Sequence, residues 1–155
     1  MTKVAYIPWK SVEHYCRVVA RQASPETSRI LAIGRGGVIP GTILSHMLDI
    51  PVEYLTLQAY ESTKRRAEGI EKYWTIPDAV AERCNTRQCL VIDDICDTGA
   101  LMQYMQDVVP KAQKAVLVTK QPELGVEYFA PHRVPPDYWI VFPWEREYDS
   151  NSAPE

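Results

Sequence analysis

Apolar positions recur along this chain in two periods, and the switch between them lays out the elements. Val12, Tyr15, Cys16, Val19, Ala20 and Ala23 fall on one face at helical spacing, with Ser11 as the expected cap and Ser24-Pro25 as the stop. Residues 30–33 form a short continuous apolar run, the form taken by a strand covered on both faces. Pro40 opens a predicted helix through Ile43, Leu44, Met47 and Leu48, and residues 52–57 return to a strand pattern. Residues 60–72 are strongly polar. Leu90, Val91 and Ile92 make a second buried run, after which Leu101, Met102, Met105, Val108 and Val109 recur at helical spacing until Pro110. Residues 114–119 read as a further strand. Strands and helices alternating in this order predict an α/β fold, a doubly wound parallel, twisted sheet flanked by helices. Residues 121–147 are rich in proline and aromatics, and 149–155 form a polar tail.

Composition narrows the class without deciding it. The 155 residues suit a single domain, 1–155, with enough apolar content (46% hydrophobic) to build one core. A formal charge of −3 and a pI near 5.7 argue against nonspecific nucleic-acid binding. No apolar stretch reaches the length of a membrane span, and Met1-Thr2-Lys3-Val4-Ala5-Tyr6 lacks the apolar core of a signal peptide, so a cytoplasmic protein is expected. The four cysteines, at 16, 84, 89 and 96, contain no Cys-x-x-Cys pair and read as reduced thiols.

Candidate chemistry gathers at two loops. At residues 89–101 the apolar run breaks into Asp93 and Asp94 and then Asp97-Thr98-Gly99-Ala100. Ligands of open α/β sheets bind beyond the carboxyl ends of the strands, where paired acids suit two ribose hydroxyls or a hydrated divalent cation. A Gly-containing turn opening a helix directs free N–H groups and the positive dipole end at one spot, which suits a phosphate. The second loop is Gly34-Arg35-Gly36-Gly37-Val38-Ile39-Pro40-Gly41. Its glycines let the backbone approach a ligand closely, and Arg35 adds a forked, permanent cation suited to a diphosphate. Ile39 at the third glycine position excludes Gly-x-Gly-x-x-Gly, and no Gly-Lys-Ser/Thr follows for a P-loop. His14, His46 and His132 each read as a packing or surface residue.

Val91-Ile92-Asp93-Asp94-Ile95-Cys96-Asp97-Thr98-Gly99 resembles, position by position, the motif with which type I phosphoribosyltransferases bind 5-phosphoribosyl-1-diphosphate (PRPP). Arg35-Gly36-Gly37 is similar to their diphosphate loop, and Trp139-Ile140 followed by Pro143-Trp144-Glu145 is similar to the short prokaryotic 6-oxopurine branch. The resemblance implies a type I phosphoribosyltransferase fold with a lid over about 59–73 and a small C-terminal hood over about 121–147. It implies PRPP contacts from Arg35, Gly36, Gly37, Asp93, Asp94, Asp97, Thr98, Gly99, Ala100 and Leu101, with Mg²⁺ near Asp93 and Asp94. The purine contacts it implies are Lys120 to a ring oxygen, Trp139 by stacking and Ile140 through its backbone. Asp97 is the expected acceptor of the purine N7 proton, and Lys64-Arg65-Arg66 and Glu145 are lesser candidates for the diphosphate and the metal shell. The expected reaction converts PRPP and guanine, xanthine or hypoxanthine to nucleoside 5′-monophosphate and diphosphate, in a homo-oligomer, dimer or tetramer. Two departures stand out: Leu101 where the family often has Thr or Ser, and Ala59-Tyr60 where it often has Ser-Tyr. Two alternatives remain open, a noncatalytic PRPP or nucleotide sensor and a phosphoribosyltransferase for another base.

Overall fold

The computed structural model describes residues 3–57, 59–61 and 72–145. The elements in chain order are β1 (Lys3–Tyr6), α1 (Trp9–Gln22), β2 (Arg29–Gly34), α2 (Val38–Leu48), β3 (Val52–Thr56), β4 (Ala59–Glu61), β5 (Lys72–Trp74), α3 (Asp78–Cys84), β6 (Cys89–Cys96), α4 (Ala100–Val108), β7 (Gln113–Thr119), β8 (His132–Arg133) and β9 (Tyr138–Val141), closed by a 3₁₀ turn at Pro143–Glu145. The central sheet has the order β3-β2-β6-β7-β8 and every pairing in it is parallel.

Strand alternation divides the core into two layers. Ile30, Ala32, Leu90 and Ile92 face Val12, Cys16 and Val19 of α1 and Leu44 of α2. Leu31, Ile33, Cys89 and Val91 face Val80 and Cys84 of α3 and Met105 and Val109 beside α4. Covering both faces is what allows residues 30–33 of β2 and 89–92 of β6 to be continuously apolar. The helical face expected for α1 is the one buried. Its start differs: the helix begins at Trp9, because the Pro8 carbonyl already accepts the N–H groups of Ser11 and Val12 at 3.0 and 3.2 Å. Ser11 therefore lies within the first turn instead of capping it. Likewise α2 begins at Val38, and Pro40 sits in its first turn, where an absent N–H costs nothing.

Three features were not expected from sequence. The N-terminal strand β1 pairs in parallel with β9, matching Val4 with Trp139 and Ala5 with Ile140, so the chain start completes the hood. A short antiparallel pair, β4 with β5, frames the segment expected as a lid. Lys64, Arg65 and Arg66 lie outside the described residues, as does the polar tail. Helix α3 supplies the second face with Val80 and Cys84. All four cysteines are buried free thiols.

Candidate active site

Strand β6 is longer than its apolar run, and that extension builds the site. Its pairing with β2 stops at Ala32 and Ile92, while its pairing with β7 continues to Cys96 and Thr119. The sheet thus forks at Asp93, with the loop 34–37 on one side and Asp97 and Lys120 on the other. Open crevices of this kind at strand ends are where α/β sheets take ligands.

On the first side the glycines are demanded by contact. A Cβ at Gly36 would lie 2.4 Å from the Asp94 carboxyl, and one at Gly37 would lie 2.4 Å from the Ile92 carbonyl oxygen and 2.7 Å from that of Ile33. The loop therefore rests directly on the end of β6. The Gly34–Arg35 peptide is cis. Arg35 is exposed, and its guanidinium has no partner among the described residues.

The two acids of β6 share one environment. The Asp93 carboxylate accepts the Asp94 N–H at 2.8 Å, and that of Asp94 accepts the Ile95 N–H at 2.7 Å. Asp94 is only 6% exposed. Burial pushes both carboxyls up, Asp93 well above the usual range and Asp94 to about 6, and the negative charge of Asp94 adds to the rise at Asp93. The Glu145 carboxylate adds negative charge to Asp94 while accepting the Phe142 N–H at 3.0 Å. Such an acid pair is suited to a divalent cation. Among the described residues no three acidic, His or Cys groups converge into a full cage, so a cation there takes its other ligands from water and substrate, as Mg²⁺ commonly does.

The sign of the Asp94 shift gives a measurable consequence. A folded pKa above the unfolded 3.8 means the native state holds more protons between about pH 4 and 6, so this group's contribution falls as pH rises through that window. In the absence of divalent cations, the melting temperature of the wild type relative to Asp94→Asn is expected to decline from pH 4 to pH 7. A difference independent of pH contradicts the assignment.

On the second side, Asp97-Thr98-Gly99 turns into α4. Gly99 caps the helix at φ 88°, a left-handed conformation, and a Cβ there would lie 2.3 Å from Leu124 of the hood. Thr98 Oγ1 accepts the Ala100 N–H at 3.3 Å. A cavity of about 130 Å³ opens between Asp93, Ile95, Cys96, Asp97, Thr98, Gly99, Leu101 and Met102, with room for a phosphate-sized group. Leu101 presents an apolar side chain to it.

Lys120 and Asp97 meet directly: Lys120 Nζ lies 3.0 Å from Asp97 Oδ1, with the Lys120 side chain 7% exposed and that of Asp97 57%. A cation almost removed from water beside a half-open carboxylate places a donor and an acceptor at one spot. Trp139 is 58% exposed on β9, while Ile140 beside it is buried in the core.

The comparisons agree with this architecture. Residues 10–151 match the phosphoribosyl transferase domain family. The chain is 30% identical over 146 residues to the xanthine-guanine phosphoribosyltransferase of Idiomarina loihiensis, covering 90% of this chain and 86% of that protein. It is 29% identical over 151 residues to the enzyme of the same name from Vibrio parahaemolyticus, covering 94% and 91%. Among solved structures, a hypothetical protein from Neisseria gonorrhoeae with bound ppGpp matches at TM-score 0.74 and 25% identity over 96% of this chain and 92% of that one. A purine phosphoribosyltransferase from Pyrococcus horikoshii matches at 0.70 and 26%, over 92% and 95%. A parallel sheet forked around an acid pair, a glycine-packed loop and a family match over nearly its whole length together place this chain in the phosphoribosyl transferase domain family.

Proposed function

We propose that the protein transfers the 5-phosphoribosyl group of PRPP to a 6-oxopurine, releasing diphosphate and a nucleoside 5′-monophosphate for purine salvage. The observation that carries the reading is the Asp97–Lys120 contact of 3.0 Å. An ammonium donates only, so Lys120 favours a ring oxygen and rejects the amino group of adenine. Asp97 beside it accepts the N7 proton as the base attacks the ribosyl carbon.

The remaining roles follow from position. Arg35 and the close-packed backbone of Gly36 and Gly37 hold the diphosphate and neutralise it as it leaves. Asp93 and Asp94 hold the ribose hydroxyls and would hold Mg²⁺. The cation supplies charge neutralisation at the diphosphate when bound. Thr98, Gly99, Ala100 and Leu101 hold the 5′-phosphate, mainly through backbone N–H groups at the start of α4. Trp139 stacks on the base, and the backbone of Ile140 meets its edge. None of the described helices is long and apolar enough to cross a membrane, and we read the protein as a cytoplasmic homo-oligomer.

Leu101 is the family departure with the clearest consequence. Leu101→Thr adds a hydroxyl donor at the cavity and is expected to lower the PRPP KM about tenfold, the lower end of what one hydrogen bond to a charged group contributes. An unchanged or raised KM, measured at saturating base, removes Leu101 from the phosphate contact.

Incubating PRPP and Mg²⁺ with each base and separating the products by chromatography tests the reading; a nucleoside monophosphate from a 6-oxopurine supports it. The second reading, a noncatalytic nucleotide sensor, draws support from the ppGpp in the Neisseria structure. Tight PRPP or nucleotide binding without product favours that one.

A further inference from the structure

Lys120 is followed by a turn whose hydrogen bonds close on themselves. The Tyr128 hydroxyl donates to the Gln121 carbonyl oxygen. A carbonyl cannot donate, so the phenolic proton is committed there, and the Thr119 hydroxyl, 2.6 Å away, must donate to the Tyr128 oxygen. Thr119 Oγ1 in turn accepts the Gln121 N–H at 2.9 Å. The three bonds run head to tail, an arrangement in which each polarises the next. Thr119 is 1% exposed, so water does not readily replace a lost member.

The ring sits beside the site's two central groups. The Lys120 N–H donates to the Cys96 carbonyl at 2.9 Å, and Gln121 Nε2 donates to the Asp97 carbonyl at 3.0 Å. Lys120 is thus held from β6 on one side and from the hood on the other, with its ammonium on Asp97.

We infer that Tyr128 is a positioning residue for base selection, acting through the Thr119–Tyr128–Gln121 ring that fixes Lys120. The inference rests on the proposed role of Lys120. Removing the phenolic hydroxyl frees the Gln121 carbonyl and lets the Lys120 main chain shift, so the ammonium no longer sits at one point relative to Asp97. A looser donor discriminates less between a ring oxygen and an amino group. The phosphate loop supplies no member of the ring and meets it through Gln121 Nε2 on the Asp97 carbonyl and through the apolar cluster that Tyr128 shares with Leu101 and Leu124, packing that a phenylalanine at 128 keeps.

Steady-state kinetics of Tyr128→Phe test it. The base KM is expected to rise about tenfold and discrimination against adenine to fall by a similar factor, from the loss of a buried hydrogen bond, while the PRPP KM stays within about twofold. Thr119→Val should act alike, the double variant no worse than either, and Thr119→Ser should behave as wild type. Tyr54→Phe, which loses a 2.6 Å contact to Thr42 elsewhere, serves as the stability control. Wild-type base KM and discrimination in Tyr128→Phe, whatever its melting temperature, overturn the inference, as do additive effects in the double variant. If Tyr128→Phe does not fold, Thr119→Val against Thr119→Ser carries the same test. A wild type that turns over no 6-oxopurine overturns the functional reading itself, and this assignment with it.

Discussion

Asp97→Asn is expected to reduce kcat for a 6-oxopurine about a hundred- to a thousandfold, with the PRPP KM little changed. The size follows from what a positioned base contributes in general acid–base catalysis. Asn keeps the shape and an acceptor oxygen for Lys120, but it cannot take up a proton. The variant also removes the charge opposite an ammonium that is 7% exposed. Because the carboxylate is half open to water, the stability cost is small, about 1 kcal/mol. Pre-steady-state product formation separates the two effects. A kcat within threefold of wild type sinks the proton-acceptor role and leaves Asp97 only as the partner of Lys120.

Gly37→Ala is the substitution expected to damage the fold most for its size. At φ −80° the backbone itself would accept alanine. The obstacle is the Ile92 and Ile33 carbonyl oxygens, at 2.4 and 2.7 Å from the added methyl, which belong to the two central strands and cannot move aside like a side-chain tip. Overpacking of this kind costs about 1–3 kcal/mol, a fall of roughly 2–12 °C in melting temperature for a chain this long. The loop also bears Arg35, so weakened diphosphate binding should accompany the loss. Calorimetry of the variant with and without diphosphate measures both, and a melting temperature within about 1 °C of wild type contradicts the close packing.

Much of this architecture is legible in the chain because its signals are local. The runs at 30–33 and 90–92 lack polar breaks, which only strands covered on both faces tolerate, and α1 shows a clean apolar face. The order of these elements is enough for the α/β assignment. The acid pair is legible because two carboxylates directly after such a run have no place in an apolar core.

What sequence could not supply depends on distant partners. β1 is only four residues long and mostly exposed, and it gains strand character by pairing with β9, more than a hundred residues away. β6 runs on through Asp93 and Asp94 to Cys96 because β7 keeps pairing with it there, so the strand ends where its neighbour ends and not where its apolar residues do. Proximity of Asp97 to Lys120 is likewise a product of the β6–β7 register, which sets Cys96 opposite Thr119. Tyr128 gave no sequence signal at all; an aromatic in a Pro-rich segment reads as packing until its hydroxyl is seen to close a ring with Thr119 and Gln121.

The central claim is that Asp97 and Lys120 form one unit that accepts 6-oxopurines and refuses adenine. Ultraviolet-monitored turnover of guanine, xanthine, hypoxanthine and adenine with PRPP and Mg²⁺, run beside Asp97→Ala and Lys120→Ala, tests it most directly. The expected result is turnover of at least one 6-oxopurine and not of adenine, with the rate lost in Asp97→Ala and the discrimination lost in Lys120→Ala. Adenine turned over as well as the 6-oxopurines, or both variants as active and selective as wild type, would contradict it.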